Sequence, residues 1–141
     1  MSAAKKYLRS LRGEQREMKI LLEMRENVFL SLLPPAIRYD KDHVQTSPMD
    51  ALPERVARMC ELDKEIEKRI AELDVHRAEA FKMIKQLDDN TGRTVMLLYY
   101  LQTHKDGTSL SWTDVANQLS YSEDRVRHIH GEMLEQLNKY F

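Results

Sequence analysis

Apolar residues recur at alternating three- and four-residue spacing along two long stretches of this chain, and both stretches predict helix. In the first, over about residues 3–33, Leu8, Leu11, Met18, Leu22, Phe29 and Leu32 form a seam once polar Gln15 and Arg25 are admitted to it. Gly13 weakens this helix locally. Pro34-Pro35 must end it, because proline lacks the amide donor and clashes with the preceding turn. A connector over 34–52 follows, long for a helical hairpin. The second helix starts near Asp50 or Pro53, with Ser47-Pro48-Met49-Asp50 as a rival start, and runs to Leu87. Val56, Met59, Ile66, Ile70, Leu73, Ala80, Ile84 and Leu87 hold its seam, interrupted by Asp63 and Arg77. At about 1.5 Å per residue it is roughly 50 Å long. Asp88-Asp89-Asn90-Thr91-Gly92 marks its end and supplies caps for a further helix. No strand alternation is convincing. The pattern is all-α: a long N-terminal helical hairpin, an antiparallel coiled coil over 1–90, then a small helix-turn-helix domain over 91–141.

Folding the two long helices back on each other pairs Leu32 with Val56, Phe29 with Met59, Leu22 with Ile66, Met18 with Ile70 and Leu8 with Ala80. The same register sets Arg25 opposite Asp63, so that two polar interruptions on different helices meet as one ion pair; the alternative is that both side chains reach out to solvent. The pattern leaves open whether this pairing is made within one chain or between two chains of a dimer.

Residues 111–137 parse as two short helices joined by a tight turn. Ser111 caps the first, and Asp114 reaches back toward it in a shortened capping box, which gives Trp112 to Leu119 a marked start. Ser122 caps the second. Glu123 and Asp124 place negative charge in its first turn, and Val126, Ile129, Met133 or Leu134, and Leu137 follow along one face. Val115, Ala116 and Leu119 supply the facing stripe, with Ala116 small where two steeply crossing helices must approach. Arg125, Arg127 and His128 lie off that face near the start of the second helix, where a recognition helix meets bases and phosphates.

Leu110-Ser111-Trp112-Thr113-Asp114-Val115-Ala116 and Tyr121-Ser122-Glu123-Asp124-Arg125-Val126-Arg127 resemble region four of bacterial sigma factors, which reads the upstream promoter element. Residues 93–101, RTVMLLYYL, are similar to the helix that precedes the motif there. Ile129-His130-Gly131 and Val44-Gln45-Thr46-Ser47 resemble a narrower group, the phage-encoded sigma-region-four-like regulators of the ArpU and RinA kind, in which a long helical half precedes this domain. The resemblance implies a transcription regulator of phage or prophage DNA whose helix over 122–138 binds double-stranded DNA. Its DNA-binding residues would be Ser111, Thr113, Ser122, Asp124, Arg125, Arg127 and His128: Ser122 and the helix start hold a phosphate, Arg127 reaches a guanine edge, Arg125 takes the backbone and His128 a base edge or the backbone. Three departures matter. Ser120 stands where such motifs often have glycine, so the turn must be strained or reshaped; Glu123 replaces a common promoter-reading arginine; and 103–109 is longer than the usual connection, a surface insertion against which Trp112 is expected to be partly buried. Gly131 costs its helix about 1 kcal/mol relative to Ala, which suggests that something approaches the backbone closely there, either the preceding helix or DNA.

Composition narrows the choice. The chain has 141 residues, 32% charged and 42% hydrophobic, with four glycines, four prolines and one cysteine. Charge this dense excludes a membrane protein, the opening MSAAKK is not a signal peptide, and the unpartnered Cys60 points to a reducing cytoplasm. The five histidines show no zinc spacing with Cys60, and no phosphate loop, nucleophile elbow or H-E-x-x-H pattern occurs, so neither an enzyme, a metal nor a cofactor is expected. Between Lys5 and Arg25 seven basic residues face three glutamates, either a solvated helix face or a contact with DNA backbone or an acidic partner. From 91 to 141, five basic residues stand against six acidic ones, net minus one, whereas independent DNA-binding domains are usually basic. Such a domain needs a homodimer through the N-terminal helices, the basic first helix, or RNA polymerase to hold it on DNA. Two other functions compete: a DNA-packaging protein resembling a small terminase subunit, and a polymerase-binding adaptor without DNA contacts.

Overall fold

A computed structural model describes residues 2–31 and 48–140, with side chains from residue 53 onward in the second segment. Among the described residues are five helices: α1 (Ala3–Ser31), α2 (Pro48–Lys85), α3 (Asn90–Tyr100), α4 (Trp112–Leu119) and α5 (Glu123–Asn138). Extended backbone among them is limited to one bridge, Thr103 with Ser109. Helix α2 begins at Pro48, the rival start, so residues 48–52 of the expected 34–52 connector are helical; the rest of that connector, Leu32, and the Val44 to Ser47 stretch of the resemblance lie outside the described residues. Pro53 is accommodated inside α2.

Helices α1 and α2 run antiparallel. Arg25 Nη1 stands 3.7 Å from Asp63 Oδ1, the pair the register requires, and Glu17 with Arg69 (3.4 Å), Glu14 with His76 (2.7 Å) and Tyr7 with Glu79 (2.8 Å) continue the same ladder. Both members of the Arg25–Asp63 pair are partly exposed, so it marks the register while contributing about 0–1 kcal/mol. The apolar seam closes only over part of its length. Leu8, Leu11, Met18, Ile66, Ala80 and Ile84 are buried, whereas Leu22 (38% exposed), Phe29 (51%) and Val56 (44%), expected inside, remain open. Two helices alone can cover one narrow stripe, and a third layer exists only where α1 starts and α2 ends.

That layer is α3 and α5. One core joins Ala4, Leu8 and Leu11 of α1 to Ala80 and Ile84 of α2, Met96 and Tyr100 of α3, and Met133, Leu134 and Leu137 of α5, so the packing crosses the division expected near residue 90. A second, smaller core gathers Val95, Leu110, Val115, Ala116 and Val126 between α3, α4 and α5. Asn138 Oδ1, at the end of α5, accepts from the Ala4 N–H at the start of α1 (3.1 Å). At Gly92 an added Cβ would collide with Met133 Sδ, so glycine there lets α3 and α5 approach.

The carbonyls that end α3 have no partners within their own helix, and the long helices supply them. Arg12 Nη1 donates to Tyr99 O (2.5 Å) and Leu110 O (3.0 Å), Gln15 Nε2 to Tyr100 O (3.0 Å) and Arg77 Nη2 to Leu101 O (2.9 Å). Gln15 and Arg77, two interruptions of the heptad pattern, thus tie the antiparallel pair to α3.

Helix α4 carries the capping box: Asp114 N donates to Ser111 Oγ (3.2 Å) and Ser111 N to Asp114 Oδ2 (2.9 Å). Ser120 closes it in the left-handed region (φ 59°, ψ 38°), with Tyr121 N donating to Ala116 O (3.0 Å) and Ser120 N to Asn117 O (3.3 Å). This is the turn that glycine usually makes, kept in shape and carrying the strain of a side chain. Ser120→Gly is therefore expected to stabilise the chain by about 1 kcal/mol, read as a rise of a few degrees in the melting midpoint.

Candidate nucleic-acid interface

The α5 helix divides cleanly by face. Val126, His130, Met133, Leu134 and Leu137 turn inward, and Glu123, Asp124, Arg125, Arg127 and His128 are exposed around its start. Ser122 sets that start by accepting the Arg125 N–H on its hydroxyl (3.2 Å), so its side chain is engaged as a cap in the free protein. Ser111 is engaged in the same way on α4. Thr113 donates its hydroxyl to Glu123, linking the first turns of the two helices. Arg125 lies over the Tyr121 ring, 3.9 Å from its centroid, a cation–π contact at the start of α5. His128 pairs one turn on with Glu132 (2.9 Å), and Asp124 stands exposed in the first turn.

The structure thus brings Ser122, Asp124, Arg125, Arg127 and His128 to the first two turns of one helix. Thr113 joins them through Glu123, and Ser111 lies at the start of α4. At Gly131 no atom from another described element lies within 4 Å of a Cβ built there, so of the two close approaches that glycine suggests, a helix or DNA, no neighbouring helix makes one.

Trp112 is half-buried, as expected, and its ring partners are Tyr99 and His130. It stacks on Tyr99 at 3.7 Å between centroids, 8° from parallel, and meets the His130 ring edge-on at 4.7 Å. The 103–109 loop closes on itself, with His104 N donating to Thr108 O (2.8 Å), and is tied to α4 through His104 and Asp114 (2.9 Å). Hydrogen bonds, first from the Ser111 N–H and then from His104, hold the Asp114 carboxyl below its ordinary range.

His130, which the sequence reading left without a role, is the centre of this group. Its Nε2 bonds the Tyr100 hydroxyl at 2.5 Å, and burial, reinforced by the positive charges of Lys5 and Arg12, pushes its pKa down to about 4, so it is neutral near pH 7. Burial pushes the Tyr100 hydroxyl up from its ordinary value. Arg12 covers the Tyr99 ring, 3.8 Å from the centroid. Beside these rings a cleft of about 360 Å³ opens, with Lys5 and Arg9 of α1 and Arg127 of α5 among its lining residues. One signal for this arrangement was present in the sequence: His130 falls between Val126 and Met133 on the apolar stripe of α5, the place of a core residue.

Among the described residues no group of three or more His, Cys, Asp or Glu side chains is placed to hold a metal ion, and no helix is long and apolar enough to cross a membrane. No family model, curated protein or solved structure matches the chain, so a functional reading rests on these residues and their geometry.

Proposed function

We propose that this chain is a phage or prophage transcription regulator of the sigma-region-four-like kind, whose α5 binds promoter DNA either as a dimer or together with RNA polymerase. The observation that carries this reading is the pair of capped helices, α4 and α5, joined through a left-handed residue, with the first two turns of α5 presenting Arg125, Arg127 and His128 outward. The free N–H groups of the α5 start favour a phosphate, and the basic side chains beside them can reach the major groove.

The geometry favours a different division of labour from the one expected from sequence. Arg127 lines one cleft with Lys5 and Arg9, a grouping suited to the backbone. Arg125 rests on the Tyr121 ring, which narrows the directions its guanidinium takes and favours a planar pair with a base edge. Reading therefore falls to Arg125, with His128 beside it. The open part of the α1–α2 seam, Leu22, Phe29 and Val56, supports a second copy of the chain as the partner that makes up for the modest charge of the C-terminal helices.

Selection of bound duplexes from a random library tests the reading. The expected result is an enriched sequence whose affinity falls steeply with salt; recovery of no preferred sequence, with stable binding to RNA polymerase alone, would favour the adaptor function.

A further inference from the structure

Glu123, the first residue of α5, is exposed, and its carboxylate is held from the other helix of the motif, where the Thr113 hydroxyl in the first turn of α4 donates to it. The helix dipole favours acidic residues at a helix start, and Asp124 supplies that charge as well. The tie to a second helix is what the dipole does not require. A threonine hydroxyl near a helix start ordinarily finds its partner in local backbone or in water. Here it holds a carboxylate ten positions away, in a pair so exposed that the bond adds little stability and mainly sets direction. Two residues on, Arg125 rests on Tyr121, so Glu123 and Arg125 are both in contact with groups outside α5.

We propose that Glu123 is a specificity-determining residue that selects cytosine in the major groove, and that Thr113 is the residue that positions it. Cytosine selection rests on the DNA-binding reading of α5 and adds a base to it. An ionised carboxylate only accepts hydrogen bonds and is repelled by phosphates, so at a DNA face it is tolerated where a base donor meets it. The base donors of the major groove are the amino groups of cytosine and adenine. Adenine sets its N7 acceptor beside that amino group, which turns a carboxylate away; cytosine presents the donor alone. Thr113 engages Oε1, and a carboxylate has acceptor sites beyond the one a single hydroxyl takes. In a helix-turn-helix the first residues of the second helix meet base edges while the first helix crosses the backbone, which suits Glu123 to reading and Thr113 to holding it.

Duplexes are selected from a random library with the whole chain as parent, Glu123→Gln, Thr113→Val and Thr113→Ser. Affinities for single-base variants of the parent's site are then measured at one salt concentration, and helicity and melting are checked for each protein. The expected result is a cytosine at one position of the parent's site whose replacement weakens binding about tenfold. In Glu123→Gln that position should turn to adenine, which an amide meets with both a donor and an acceptor, while affinity for unselected duplexes rises because a negative charge has gone. Thr113→Val should flatten the preference at that position and no other, and Thr113→Ser should restore it. A selected site unchanged at every position in Glu123→Gln would overturn the role of Glu123 and leave the DNA-binding reading standing. So would a change in affinity by one factor for all sequences, or a melting shift with base preference unaltered, since Glu123 would then only charge the start of α5 or join it to α4. If the parent enriches no sequence, the DNA-binding reading of α5 fails and cytosine selection fails with it.

Discussion

Leu8→Ala should destabilise the whole chain by about 2–5 kcal/mol, lowering the melting midpoint by roughly 10 °C in a single transition. Leu8 is fully buried in the core that also holds Ile84, Leu87, Met96, Tyr100 and Leu137. The cavity left by its removal would therefore lie between four helices, and the carbonyl bonds from Arg12, Gln15 and Arg77 to the end of α3 limit how far they can collapse to fill it. Circular dichroism reports all five helices and Trp112 emission reports the α3–α4–α5 corner, so the two melting curves should coincide and shift together. If the dichroism midpoint moves while the Trp112 midpoint stays, the long helices and the C-terminal helices are independent units divided near residue 90, as the sequence alone suggested.

A second large effect belongs to pH. His130 has a folded-state pKa near 4, below the ordinary value of 6.5 that it regains on unfolding, so the unfolded chain binds its proton first as pH falls. Its contribution is present above about pH 6.5 and is lost as pH falls toward 4. The linkage amounts to roughly 2 kcal/mol between about pH 7 and about pH 5. His76 works in the opposite direction, raised by its hydrogen bond to Glu14, but that pair is substantially solvent-exposed and its share is small. In His130→Gln, which can still accept from the Tyr100 hydroxyl but cannot titrate, the acid-side loss should shrink by about that amount. Denaturant melts of parent and variant at the two pH values measure it; equal losses in both would show that His130 takes up its proton in the folded state as readily as in the unfolded one.

Local chemistry made much of this fold legible. Ser111, Asp114 and Ser122 are capping residues whose side chains find donors within three positions, so the starts of α4 and α5 could be read directly. The register of α1 on α2 was legible because two polar breaks in different seams require each other, and Arg25 meets Asp63. Position along a stripe is not the same as burial along it. The heptad pattern treats Leu8 and Phe29 alike, but α3 and α5 cover the seam around Leu8, while Phe29 lies beyond their reach.

Long-range polar contacts were the least legible. Gln15 and Arg77 looked like faults in a coiled coil because their acceptors, the last carbonyls of α3, lie 85 and 24 positions away. The basic excess of α1 left two readings open, a solvated face or a contact, and sequence spacing did not show that Lys5 and Arg9 lie beside Arg127. The partial burial of Trp112 was legible, but its stacking on Tyr99, 13 positions away, was not.

The central claim is that α5 reads DNA, and single alanine variants on the selected duplex at one fixed salt concentration test it most directly. Arg125→Ala should keep its helicity, lose about 1–3 kcal/mol on that duplex and relax base preference at one position. Arg127→Ala should weaken all sequences alike and reduce the salt slope by about one contact. If both variants bind the selected duplex as tightly as the parent, α5 does not read DNA.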